Sequence, residues 1–214
     1  MKKTAAVLLA AVLLVCSGAA LANWSDYKTA DRTNAKLDVF SRYFDQLTTG
    51  MDLPFTWASK PRKAYGDEKV YSVWNTNPYD DMAIGMEVYV LDDYVDYIII
   101  DGSVYMMSES YGTTELLSHI LTTYMSCIAS LYRAEYSKDS YTGEELVNAA
   151  QEGWRKLLQD VNPEVFVPEG YATYSSETTV LNTPVGLRMF PDASTFVVYM
   201  YILNPGSTFV PYTE

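Results

Sequence analysis

The chain has 214 residues, of which 49% are hydrophobic, 20% charged and 14% aromatic. This composition is typical of a globular protein and excludes a chain that is disordered throughout. There are 27 acidic and 15 basic residues, so the formal net charge is −12. Such a charge opposes binding to nucleic acid and to anionic lipid, because both present negative phosphates. We therefore expect no nucleic-acid partner.

Residues 1–22 have the pattern of a secretory signal peptide. Lys2 and Lys3 precede the apolar run 5–15, which is too short to span a bilayer. Ala20-Leu21-Ala22 then forms a small-x-small cleavage pattern. The sequence therefore predicts export across the inner membrane and a periplasmic or secreted mature protein. A retained membrane anchor is the less favoured alternative.

The mature chain is expected to form a single α+β domain, 23–214, with two halves, 23–137 and 138–214, as the alternative. Loss of Lys2 and Lys3 takes the basic residues from 15 to 13 against 27 acidic ones, so the net charge becomes −14. No later stretch is long and apolar enough to predict an integral membrane span.

Cysteine and histidine are too few for the common metal and redox sites. Lipid attachment at Cys16 is disfavoured, because Val15 stands where a small residue usually precedes a lipid-modified cysteine. Cys127 then remains alone, so no internal disulfide forms. The one histidine, His119, lies eight residues from Cys127 on a predicted helix, about 12 Å along its axis. We expect no metal, no cofactor and no Cys–His dyad.

Hydrophobic periodicity predicts an α+β fold: an antiparallel meander sheet packed by helices, followed by a helix and a second, mostly antiparallel β region. The predicted helices are 31–48, 113–135 and a third that begins at a capping box, Thr142 with Glu145, and runs to about 160. The predicted strands are 69–75, 83–91, 94–100, 103–108, 178–181, 186–190, 195–203 and 208–211. The stretch Phe196 to Leu203 is apolar on both faces, which predicts a central strand.

Two tight turns fix the expected register of the meander. Asp101-Gly102 between apolar runs is typical of a two-residue hairpin, and Asp92-Asp93 is expected to form the turn before it. The predicted core face carries Met86, Val88, Val90, Val95, Tyr97, Ile99, Val104 and Met106. The other face carries Glu87, Tyr89, Leu91, Tyr94, Asp96, Ile98, Ile100, Tyr105 and Met107.

Function is predicted to lie on that second, mixed face. The chain contains 19 tyrosines, which supply flat apolar area with a polar tip at little entropic cost. The candidate binding residues are Tyr89, Tyr94, Tyr105, Met107, Glu87 and Asp96, and the expected partner is a protein, a peptide or a glycan. Burial of this face under other elements is the competing interpretation.

The sequence contains no nucleophile-elbow, dinucleotide-binding or P-loop motif, which favours a non-catalytic binding protein. A hydrolase that cleaves cell-wall or other glycans with two carboxylates is one alternative, since such enzymes need no longer motif. The register places one carboxylate pair close together, Glu87 and Asp96, because Tyr89 is expected opposite Asp96. A structural subunit of the cell envelope is the other alternative.

Overall fold

The computed structural model describes residues 35–64, 66–75, 82–105, 111–132, 141–167, 172–192, 194–204, 207 and 209. In these ranges the chain forms three α-helices and one antiparallel sheet of eight strands, which confirms the predicted α+β class. The predicted signal peptide, Met106, Met107 and the predicted strand 208–211 lie outside the described residues, apart from Phe209.

The helices are α1, Leu37–Gly50; α2, Tyr111–Leu131; and α3, Gly143–Leu157. The strands are β1, Phe55–Trp57; β2, Arg62–Lys63; β3, Lys69–Asn75; β4, Met82–Leu91; β5, Tyr94–Tyr105; β6, Tyr174–Val180; β7, Thr183–Asp192; and β8, Thr195–Leu203. Their order across the sheet is β1-β3-β4-β5-β8-β7-β6, and β2 also pairs with β3. The second β region thus extends the first sheet, and β8 has the predicted central position between β5 and β7.

The described helices pack on one face of this sheet and form the core with it. Phe40 and Phe44 of α1 are fully buried, and both rings meet Trp57 of β1 edge-on. The predicted capping box begins α3, since Thr142 accepts from the Glu145 amide and Glu145 accepts from the Thr142 amide. These contacts leave the opposite side of the sheet, which we call the open face, without a described helix.

The predicted hairpin at Asp101-Gly102 is wrong, because β5 continues through both residues to Tyr105. Gly102 faces helix α2: a Cβ at this position would come 2.8 Å from Ile120 Cδ1 and 2.9 Å from Leu116 Cδ1. A glycine inside a strand commonly marks such a close approach. This glycine therefore serves helix–sheet packing and not a turn.

The predicted turn at Asp92-Asp93 is present, with φ of 51° and 68°, and Val90 pairs with Val95 as expected. One residue later the register shifts, so Tyr89 pairs with Tyr97 and Asp96 is the extra residue of a bulge. A one-residue shift exchanges the two faces of the strand.

The face predictions for residues 97–100 are therefore wrong, whereas Val104 lies in the core and Tyr105 on the opposite face, as expected. Ile98 and Ile100, which were expected on the mixed face, are fully buried on the helix side. Tyr97 and Ile99, which were expected in the core, lie on the open face instead, as their pairing with Tyr89 and Glu87 shows.

Candidate functional site

Exposed aromatic side chains concentrate on the open face. Among the described residues, the strongly exposed aromatics are Trp74, Tyr105 and Tyr199, with 45%, 47% and 46% of their surfaces accessible. All three lie on the open face, because their neighbours along each strand are buried on the helix side and successive side chains of a strand point to opposite faces. Aromatic rings left in water in this way are characteristic of surfaces that bind a partner.

Four residues on adjacent strands form a row across this face. The row consists of Trp74 on β3, Gly85 on β4, Asp101 on β5 and Tyr199 on β8, each paired with the next. Three strand spacings separate Trp74 from Tyr199, which is about 14 Å. The two large side chains thus stand on either side of two smaller residues.

We call the space between Trp74 and Tyr199 the trough. Its floor is formed by half-buried residues on β4 and β5, namely Gly85, Ile99, Asp101 and Ser103. Gly85 contributes no side chain to the floor, and this leaves room for Asp101. A Cβ at position 85 would come 2.9 Å from the Asp101 carboxylate. Asp101 therefore lies over the backbone of the neighbouring strand instead of standing out into water.

The Asp101 carboxylate is the electrostatically unusual group of the floor. Partial burial raises its pKa, the nearby Glu87 carboxylate raises it further, and a hydrogen bond from its own backbone amide opposes the shift. Within the described ranges, Asp101 has no ion pair with a lysine or an arginine. A negative group is thus held in the floor without a neutralising cation from these residues.

Glu87 and Tyr89, two of the predicted binding residues, contact each other next to the trough. The Tyr89 hydroxyl donates to Glu87 Oε2 over 2.8 Å, and Arg62 of β2 forms an ion pair with Glu87 Oε1. Burial and the adjacent Glu87 raise the pKa of Tyr89 to about 12. Tyr89 therefore acts here as a neutral hydrogen-bond donor and a flat ring.

Stacked rings close one end of the trough. Tyr89 and Tyr97 stack with centroids 4.0 Å apart, and Phe209 stacks on Tyr97 at 4.4 Å. The Tyr97 hydroxyl bonds the Glu68 carboxylate, and burial raises the pKa of both groups. The Phe209 ring thus covers the Tyr97 end of the open face, while Trp74 and Tyr199 remain accessible.

The other predicted site residues do not join this cluster. Tyr105 is on the open face, but it lies eight residues along β5 from Tyr97, about 26 Å. Tyr94 lies at the turn end, with Lys36 Nζ 5.9 Å from its ring centroid. Met107 falls beyond the described residues.

Asp96 is not opposite Tyr89, because of the bulge, and it is not exposed. Only 1% of its surface is accessible, and its carboxylate accepts a hydrogen bond from Ser207 Oγ over 2.9 Å. Its backbone carbonyl accepts from the Asn204 amide over 2.9 Å. Asp96 therefore ties the chain after β8 to β5.

Trp74, Asp101 and Tyr199 were not predicted as site residues. A signal for Asp101 was present, since polar Asp101, Ser103 and Tyr105 alternate with small or apolar residues through the supposed turn. The placement of Trp74 and Tyr199 on the two sides of the trough has no local signal, because it depends on the pairing of β8 with β5, which lies nearly 100 residues earlier in the chain.

Cys127 and His119 lie outside the open face, both on α2. Cys127 is completely buried, with its Sγ 3.5 Å from Met86 Sδ, so it is a core residue as expected. Among the residues that the structure describes, no three His, Cys, Asp or Glu side chains are grouped so that they could hold a metal ion. None of the described helices has the length and hydropathy needed to cross a membrane.

The chain matches no protein-family model, no curated protein and no solved structure. What the open face does must therefore follow from its own residues.

Proposed function

We propose that this protein is an exported, non-catalytic binding protein that holds its partner on the open face of the sheet. The export step is supported by Lys2, Lys3, the apolar run 5–15 and the cleavage pattern 20–22. The binding step is supported by one observation above all. Trp74, Tyr105 and Tyr199, the strongly exposed aromatics of the described chain, share the sheet face opposite the described helices.

The exposure of these rings is costly unless a partner covers them. A fully buried aromatic side chain contributes roughly 1.5–3 kcal/mol more than an exposed one. The same fold buries other large rings completely, such as Phe40, Phe44 and Tyr124. Exposed rings concentrated on one face therefore favour a surface that binds, not a surplus of hydrophobic residues.

The binding proposal is tested with a double variant, Trp74→Ala/Tyr199→Ala, in glycan-array and pull-down experiments. Binding by the wild-type protein and loss of that binding in the variant are expected. The matched control is Met51→Ala/Val147→Ala, which removes two side chains of similar exposure, 48% and 40%, that lie outside the open-face strands. Equal binding by wild type and the Trp74→Ala/Tyr199→Ala variant would contradict the proposal.

The geometry supports binding better than glycan hydrolysis. Asp96, one member of the carboxylate pair that the sequence suggested, is buried. Glu87 and Asp101 instead lie side by side on the same sheet face, where Asp101 pairs with Gly85 and Glu87 with Ile99. Glycosidases use two carboxylates on opposite sides of the bond that they cleave. Reducing-sugar release from cell-wall glycans that is lost in Asp101→Asn would favour the enzyme instead.

Export has its own test, independent of the partner. The full chain, expressed with a C-terminal tag, is expected in the periplasm or medium with an N-terminus at Asn23. An intact N-terminus in the cytoplasmic fraction would contradict export.

A further inference from the structure

The trough combines two aromatic walls with an acidic floor. Trp74 and Tyr199 flank Asp101 in one row, and both rings are nearly half exposed. Aromatic faces attract cations through the ring quadrupole, and Trp does so most strongly. A carboxylate between two such rings adds a direct charge interaction and a hydrogen-bond acceptor. This arrangement complements a positive group.

Among the described residues, neither Arg62 nor Arg188 forms an ion pair with Asp101. Arg62 is engaged with Glu87 on the Tyr89 side of the trough. Arg188 pairs with Tyr199 from β7, and its guanidinium lies 5.5 Å from the Phe190 ring centroid, beyond the wall. The trough therefore offers a negative floor to a cation supplied from outside, on a protein whose net charge is already −12.

The shape of the trough favours an extended chain. Its floor follows β5 from Ile99 to Ser103, five residues that span about 13 Å. In a strand-like segment every second side chain points the same way, about 6.6 Å apart. Two inward side chains of such a segment fit this length. The apolar stem of a lysine or arginine would lie along Ile99 while its charged end reaches Asp101.

We propose that the trough binds an extended segment of a partner protein that carries lysine or arginine, with one cationic group over Asp101 between Trp74 and Tyr199. This inference rests on the proposed binding function, because it names the partner of the same face. The floor carboxylate provides selectivity for positive charge, and the rings provide area and cation–π attraction.

The test uses two peptides of twelve residues that differ only in charge. One alternates glycine with arginine, and the other alternates glycine with citrulline, which has nearly the same shape and no charge. Binding to the full protein is followed by calorimetry at two salt concentrations. The arginine peptide is expected to bind more tightly than the citrulline peptide, and more weakly at high salt because ions screen the charges.

Variants separate the trough from the overall negative charge. Asp101→Asn is expected to weaken binding of the arginine peptide at least about tenfold, since a charge-assisted hydrogen bond is lost. Asp160→Asn, an exposed acid outside the sheet, changes the net charge equally and should leave binding unchanged. Trp74→Ala should weaken binding, and Trp74→Phe should restore part of it.

Three other outcomes would overturn the inference, and each has a different meaning for the open face. Equal losses in Asp101→Asn and Asp160→Asn would mean that only bulk charge attracts the peptide. Binding of a neutral oligosaccharide such as cellohexaose, dependent on Trp74 but not on Asp101, would reject the cationic partner and keep the proposed binding function. No binding of either peptide would reject the cationic partner, and the glycan-array and pull-down test would then decide on the binding function separately.

Discussion

The ring of Tyr201 rests against Gly186 on the neighbouring strand, where a Cβ would come 2.0 Å from Tyr201 Cζ. The two residues are direct partners in the β7–β8 pairing. The Tyr201 hydroxyl continues past the glycine and donates to Glu177 Oε1 over 2.7 Å, on β6. A glycine in a strand leaves its backbone exposed, and an aromatic ring from the neighbouring strand can cover it. This pair therefore ties the three strands at the β6 edge together.

We predict that Gly186→Ala destabilises the protein by about 1–3 kcal/mol, because the new methyl group must displace the ring and its hydrogen bond. The free energy of unfolding is measured by urea titration. Gly143→Ala is the matched control, since nothing lies within 4 Å of a Cβ at that position. Equal stability of Gly186→Ala and wild type would mean that the ring moves aside freely.

Sequence patterns predicted the elements whose signal is local. The strand Lys69–Asn75, the strand Thr195–Leu203 and the capping box at Thr142 are all present as expected. A capping box needs only four consecutive residues, and strand alternation needs about six, so both are visible without knowledge of the fold.

The two faces of β5 and the trough could not be predicted from local sequence. The dipeptide Asp101-Gly102 has the composition of a turn, yet its glycine is required by Ile120 of a helix that follows later in the chain. The bulge at Asp96 then exchanges the faces of β5, and nothing in the local sequence marks it. The trough depends on both features and on the pairing of β5 with β8, so its walls are brought together only by tertiary structure.

The turn between β4 and β5 offers a stabilising substitution. Asp93 has φ of 68°, in the left-handed region that favours glycine. We predict that Asp93→Gly stabilises the protein by about 0.5 kcal/mol, since two-residue turns of this kind prefer glycine at the second position. The lost ion pair between Lys69 Nζ and Asp93, 3.7 Å long and exposed, contributes little.

The measurement for Asp93→Gly is the unfolding midpoint in urea. Asp67→Gly is the control, because Asp67 is also exposed in a turn but is not in the left-handed region. It should be neutral or slightly destabilising through the added chain entropy of glycine. A drop in stability for Asp93→Gly would show that the aspartate side chain matters more than the backbone conformation.

The Asp101 carboxylate in the floor of the trough should make the free energy of unfolding depend on pH. Burial and Glu87 raise the pKa of Asp101 above its usual 3.8 in the folded protein. As pH rises past 3.8, the unfolded chain loses this proton first, so unfolding becomes more favourable until the folded carboxyl has also ionised. Asp101→Asn removes this penalty, and we predict that it is more stable than wild type at pH 7 and closer to wild type at pH 4.

Urea titrations between pH 4 and pH 8 measure the difference, with Asp160→Asn as the control for a change of one charge. The expected combination in Asp101→Asn is higher stability together with weaker binding of the arginine peptide. Functional residues commonly lower the stability of the fold in exchange for binding or activity. A variant that is less stable than wild type at pH 7 would show that the Asp101 carboxylate supports the fold.

The thiol of Cys127 should be unreactive in the folded protein. It is completely buried between α2 and β4, and burial raises its pKa, so the reactive thiolate is scarce at neutral pH. In a Cys16→Ser protein, we predict no reaction with a water-soluble disulfide reagent until urea unfolds the chain. Val147→Cys in the same background places a thiol at a position with 40% exposure on α3 and should react at once. Labelling of Cys127 at the rate of that control would mean that α2 separates readily from the sheet, so the core would not hold the open face as rigidly as the proposed binding requires.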